Sequence, residues 1–155
     1  MAGLDLVALQ DNIVAHVKTL VPDTNVYEDS TPDDNSLEVD EFGKVRPYVV
    51  LRFGPLRPSY SGKSLRGPRH DEYWASCDIA AIASKGRLAR LLNMGLVDAL
   101  IGYKPDGVSP MSMRTDAGDP AQFVVSSNES RPTQFIASTR LRFSVNAENP
   151  GAHVP

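Results

Sequence analysis

The sequence predicts an α+β fold, with a mostly antiparallel sheet covered by two amphipathic helices. Three observations carry that prediction. Segments 4–20 and 85–102 repeat apolar residues at three- and four-residue steps. Segments 72–84 and 133–146 alternate residue by residue over long runs. The order is helix, strands, helix, strands, and each pair of long strands can meet by hairpins, which predicts a mostly antiparallel sheet. A chain of 155 residues, 41% apolar and 23% charged, suits one domain with its own core. That domain is read as 1–150, followed by a flexible tail at 151–155.

The first helix sets Leu6, Leu9, Ile13, Val17 and Leu20 on one stripe, flanked by Val7, Val14 and Val21. Asp5 suits its first turn, where a carboxylate meets the positive end of the helix dipole. Pro22 ends it, because proline disfavours the helical conformation at the residue before it. Segment 22–46 follows as loop or polar hairpin, with a short strand at Val26 and Tyr27. Residues 47–53 (PYVVLRF) read as a strand that tolerates Pro47 at its first position. Residues 54–71 hold three glycines and three prolines, too many for a regular element. A connection this long is ordinarily functional or ordered by a partner.

On the strand at 72–84, Tyr73, Ala75, Cys77, Ile79, Ala81 and Ala83 share one face. Trp74, Ser76, Asp78, Ala80, Ile82 and Ser84 share the other. The second helix aligns Leu88, Leu91, Leu92, Leu96, Ala99 and Leu100, with Ser84 as N-cap and Gly102 and Pro105 at its end. Gly95 within it costs about 1 kcal/mol against alanine unless something packs closely there. Weaker strands are expected at 108–114 and 122–127. In the last strand Phe135, Ala137, Thr139, Leu141, Phe143 and Val145 line one face, and Ile136, Ser138, Arg140, Arg142, Ser144 and Asn146 the other.

Composition narrows the function classes. No apolar run nears the roughly 20 residues of a membrane helix, so no membrane partner is expected. The first residues lack a basic stretch and include Asp5, which predicts no signal peptide. One cysteine, Cys77, allows no internal disulfide, and His16, His70 and His153 share no metal-ligand spacing. No metal or other cofactor is expected. The net charge of −3 speaks against a dedicated DNA binder.

Candidate chemistry is sparse. Gly62-Lys63-Ser64 copies the end of a phosphate-binding loop. The glycine required five residues earlier is Arg57, and Gly67 and Pro68 interrupt the helix that should follow. Cys77 reads as a buried, inert thiol, and His70 has no orienting acid beyond its neighbour Asp71. Asp78 reads as a satisfied surface carboxylate, and no second acid stands at a fixed spacing to form an acid–base pair. His16 falls on the polar flank of the first helix, where solvation is the default. A catalytic role is not expected.

Charge is unevenly distributed. Asp23, Glu28, Asp29, Asp33, Asp34, Glu38, Asp40 and Glu41 face only Lys44 and Arg46, a balance of −6 across 22–46. Arg57, Lys63, Arg66 and Arg69 give +4 across 57–70. Two readings stand: unrelated solvated loops, or a basic loop that meets the acidic segment of an identical subunit, as head-to-tail rings require. Arg140 and Arg142 likewise either solvate the outer face of their strand or dock a partner ring.

The element order resembles a family. A helix ending in VP is followed by PYVVLRFG, a long polar loop, EYWASCDIAAIAS, GRLARLLNMGLVDALIGY and TQFIASTRLRFSVNAE. Over about residues 4–146 this is similar to the tail terminator (minor tail, tail-completion) proteins of long-tailed bacteriophages, especially those infecting actinobacteria. The resemblance implies a virion structural protein assembled in the host cytoplasm and located in the tail or neck. It implies a hexameric ring that caps the tail tube, stops polymerisation and joins the tail to the head connector, with genomic DNA passing non-specifically through the lumen. The tail tube protein and a head-completion or connector protein would be its partners. Arg57, Lys63, Arg66, Arg69, Arg140 and Arg142 then become candidates for subunit or partner contacts. Glu28, Asp29, Asp33, Asp34, Glu38, Asp40 and Glu41 become candidates for lumen or inter-subunit positions. The alternatives are another neck protein (head-closure or adaptor), a tail tube subunit, or a small hydrolase-like enzyme.

Overall fold

A computed structural model describes residues 6–32, 36–55, 57–58, 72–105, 111–113, 125–127 and 132–146. Its elements are α1 (Leu6–Leu20), β1 (Asn25–Glu28), β2 (Tyr48–Phe53), β3 (Arg57–Pro58), β4 (Glu72–Ala83), α2 (Gly86–Leu100), β5 (Met111–Met113), β6 (Val125–Ser127) and β7 (Gln134–Asn146). The fold is α+β. The strands form one sheet in the order β1-β2-β4-β7-β5, with β3 on β4 and β6 on β7.

The spine of the sheet is β4 against β7, antiparallel from Glu72↔Asn146 to Ala83↔Phe135. These are the two segments with long alternation, and α2 lies between them in the chain, so they do not meet through a hairpin. β2 runs antiparallel to β4, from Tyr48↔Ile82 to Phe53↔Cys77. β1 runs parallel to β2. The chain between these two parallel strands makes the expected polar hairpin, closed by the Val39↔Val45 bridge. Segment 54–71 is not wholly irregular, since β3 pairs with Trp74 and Tyr73 of β4. The other expected weak strands are β5 and β6, both antiparallel to β7.

Alternation along the strands divides the sheet into two faces. On one, Val49, Leu51, Ala75, Cys77, Ile79, Leu141 and Phe143 form the main core with Leu9, Ile13 and Val17 of α1 and Leu96, Val97 and Leu100 of α2. Both helices therefore lie on this face. On the other, Tyr48, Val50 and Ile82 are covered by Val45 at the base of the hairpin, with Leu37 and Tyr27 beside them. Tyr48 donates a buried hydrogen bond from its hydroxyl to Oε1 of Gln134.

The helices depart from expectation in three places. In α1, Leu9, Ile13 and Val17 are buried, but Leu20 is 37% exposed at the helix end. In α2 the buried stripe is Ala89, Asn93, Leu96, Val97 and Leu100, while Leu88 and Leu91 are exposed. The inward face is thus rotated by about one residue from the leucine-rich stripe, and a polar Asn93 sits in its middle. The N-cap is Lys85 with no side-chain cap, in place of Ser84. The end of α2 is as expected, with Gly102 at φ 84° after the last turn.

Gly54 extends the register of β2, its N–H donating to the Ser76 carbonyl at 2.9 Å. A Cβ there would run into the Ser76 hydroxyl. Gly54→Ala is expected to lower stability by about 1 kcal/mol through overpacking. Adding Ser76→Ala, which removes the obstructing atom, should recover most of the loss. Thermal unfolding of the two single variants and the double variant checks this.

Candidate functional site

The helix-free face of the sheet gathers the charged side chains of the strands. Register places Arg52 of β2 and Arg140 of β7 on either side of Asp78 of β4. Arg140 grips Asp78 with two parallel bonds, Nε to Oδ1 at 2.6 Å and Nη2 to Oδ2 at 3.0 Å. The hydrogen bond and the adjacent charge of Asp78 raise the guanidinium pKa above its ordinary value. Arg140 and Asp78 are 47% and 34% exposed, so the pair contributes at most about 1 kcal/mol. Asp78 is therefore the satisfied surface carboxylate that the sequence suggests. Arg142 stands opposite Ser76 in the register and is also engaged.

The acidic candidates fall on two separate elements. Asp29 follows β1 with φ 60°, its N–H donating to the Leu51 carbonyl at 2.7 Å. Its Oδ1 accepts the Phe53 N–H at 3.2 Å. Asp40 organises the hairpin turn, where Oδ1 accepts the N–H groups of Phe42 and Lys44, both at 2.9 Å. This is the local side-chain-to-backbone bonding for which aspartate is favoured in turns. Asp29 and Asp40 thus have structural work in one subunit, whereas Glu28, Glu38 and Glu41 stand exposed. Asp33 and Asp34 lie outside the described residues, as do Lys63, Arg66 and Arg69; Arg57 is in β3.

Two features escaped the sequence reading. His16 does not stand free on the polar flank of α1, since its ring stacks on Tyr103 at 3.9 Å and 3°. Asn12 Nδ2 donates to the Pro105 carbonyl at 3.0 Å, and together these contacts tie α1 to the chain after α2. The second feature is a set of large apolar side chains left in solvent. Phe42 at the hairpin tip is 77% exposed, Leu91 on α2 60%, and Met94 48%. Their signal in the sequence is slight: an aromatic in an otherwise polar turn, and a helix with leucine at too many phases for one buried stripe.

Among the described residues no group of three or more histidine, cysteine, aspartate or glutamate side chains is placed to hold a metal ion. Cys77 is buried at the heart of the main core. Burial first, then the charges of Asp78 and Asp29, push its thiol from an ordinary 9.0 up to about 12. The folded chain keeps a proton that the unfolded chain surrenders above pH 9, so this contribution to stability is complete below pH 9 and falls away towards pH 12. At neutral pH the native protein should leave a thiol-specific disulfide reagent unconsumed, and one equivalent should react on unfolding in urea. Rapid reaction of the native protein would contradict this burial.

No family model matches the chain, and no curated protein does. Solved structures align with the chain, among them one that covers 90% of this chain and 91% of its own at 12% identity and a TM-score of 0.46. A likeness of that strength carries no argument about what the chain does.

Proposed function

We propose that the chain is a ring-forming structural subunit of a phage neck, acting as the tail terminator. One observation supports this reading above the rest: the element order of the resemblance, a helix, a strand, a long polar connection, a long strand, a helix and a long strand, is the order α1, β2, β4, α2, β7 once the short strands β1, β3, β5 and β6 are set aside. The mostly antiparallel sheet with both helices on one face is the subunit fold this reading requires. It leaves an opposite face that carries charge instead of a second helical layer.

The mechanism is steric. A ring of such subunits matches the end of the tail tube on one side and offers the head connector a surface that does not template a further tube ring. Genomic DNA passes through the lumen, where acidic side chains keep it sliding. Glu28, Glu38 and Glu41 are exposed and free for a lumen or inter-subunit position, whereas Asp29 and Asp40 hold turns. The subunit is a virion component and carries out no catalysis.

Electron microscopy of the purified protein, and of particles made without it, tests the proposal. Rings in solution and over-long tails in its absence support termination. Normal tails with unattached heads transfer the role to an adaptor. Reversing Glu28, Glu38 and Glu41 together should impair ring assembly or infectivity. If both survive intact, those residues have no lumen or inter-subunit role.

A further inference from the structure

Among the described residues, five of the eight exposed large apolar side chains fall at two places of opposite net charge. On the outer side of α2, Leu88, Leu91 and Met94 lie exposed beside Arg87 and Arg90. Among the described residues, no carboxylate pairs with either arginine. At the hairpin, Phe42 projects with Val39 44% exposed behind it, and Glu38 and Glu41 flank them. One patch is apolar and basic; the other is apolar and net acidic, its Glu38, Asp40 and Glu41 outnumbering Lys44 and Arg46. Oppositely charged apolar patches on one chain can meet between two copies of it.

The two patches cannot satisfy each other within a subunit. α2 packs on the face of the sheet that carries Cys77, Ile79 and Phe143. The hairpin rests by Val45 on the opposite face, with Tyr48, Val50 and Ile82. The sheet stands between them. A contact between two different patches on two copies is heterologous, and such contacts propagate head to tail until they close into a ring.

Gly95 adds an independent observation. It lies exposed inside α2, and a Cβ at that position would meet nothing within 4 Å. Nothing among the described residues calls for glycine there, yet glycine weakens the helix. The missing side chain leaves a shallow seat on the outer side of α2, between Leu91 and Ala99 one helical turn to either side.

We propose that the hairpin tip of one copy, led by Phe42, docks on the outer side of α2 of the next copy at Leu91 and Gly95, with Glu38 and Glu41 facing Arg87 and Arg90. This rests on the reading of the chain as a ring subunit and names the surfaces that would join its copies. A second copy is favoured over a foreign partner because one chain carries both halves of the match.

Two exposed substitutions test it, Phe42→Asp and Leu91→Asp, each checked for native circular dichroism. The readout is mass by analytical ultracentrifugation over a concentration series. Each variant alone should be monomeric where wild type assembles, with a dissociation constant raised about 30-fold or more, as for loss of a large apolar anchor. Mixed one to one, the two variants should form a dimer and stop. The Phe42→Asp chain keeps an intact α2 seat and the Leu91→Asp chain an intact hairpin, and the two altered surfaces repel. Wild-type rings together with unimpaired variants would overturn this docking while leaving the ring reading in place. Monomeric variants that do not combine would also overturn it, since the contact would not be between these two patches. Wild type that stays monomeric at every concentration would overturn both.

Discussion

Phe143→Ala is expected to cost about 3–5 kcal/mol, the range for removing a fully buried phenylalanine. Phe143 is 1% exposed and lies in the main core with residues of both helices. In the sheet it stands opposite Ala75 on β4 and Met111 on β5. Its partner on β4 is too small to fill the space left behind, so the cavity would persist and add to the lost burial. Domains have total stabilities of only about 5–15 kcal/mol, so this one change removes a large part. Urea unfolding should show a lower midpoint at an unchanged slope, because the surface exposed on unfolding is nearly the same. A loss below about 1 kcal/mol would mean that the helices do not cover this face.

Asn93→Ala is expected to be the second most damaging single change, at about 2–3 kcal/mol from an unmade buried hydrogen bond plus lost volume. Asn93 is 0% exposed. It donates from Nδ2 to the Ile79 carbonyl at 3.0 Å and accepts from the Thr139 hydroxyl at 2.7 Å. The pair bridges α2 to β4 and β7 at once. Truncating Asn93 strands the Thr139 hydroxyl in the core without its acceptor. Thr139→Val should cost less, and combining it with Asn93→Leu should recover part of the loss, because two apolar groups of similar shape leave nothing unsatisfied. The mutant cycle should show a coupling of about 1 kcal/mol. Additive costs would mean the two side chains do not act together.

The same residue shows where the sequence ceased to be legible. The period-2 runs at 72–84 and 133–146 could only be strands with the faces they have, because alternation fixes which residues turn inward. Helix α2 was ambiguous, because its leucines occupy more phases than one buried stripe can use. Counting apolar residues favoured Leu88 and Leu91. Packing on β4 and β7 selected Ala89 and Asn93, the small side chain giving close approach and the amide a bond to the sheet. The parallel pairing of β1 with β2 was also hidden, since strand direction depends on the path of the 29–47 connection and not on either strand's composition. Of the charged candidates, the sequence indicated that Asp78 was satisfied but not by which residue. Arg140 is its partner through a register between strands distant in the chain. Asp29 and Asp40 read as free charge in the sequence, because their backbone-holding bonds depend on turn geometry.

The pairing of β4 with β7 has a kinetic consequence. Every partner across it is separated by α2 and two short strands, and the match from Glu72↔Asn146 to Ala83↔Phe135 joins the middle of the chain to its last described strand. Closing such a loop costs entropy before any contact repays it, so domains built on non-local pairing fold in milliseconds to seconds. The sheet cannot be completed until β7 has left the ribosome. Until then β4 presents a long edge with a bare hydrogen-bonding ladder, open to the wrong neighbour. The hazard period is synthesis itself. Expression at lower temperature, which weakens apolar association of the waiting edge, should raise the soluble yield more than any change to the mature surface.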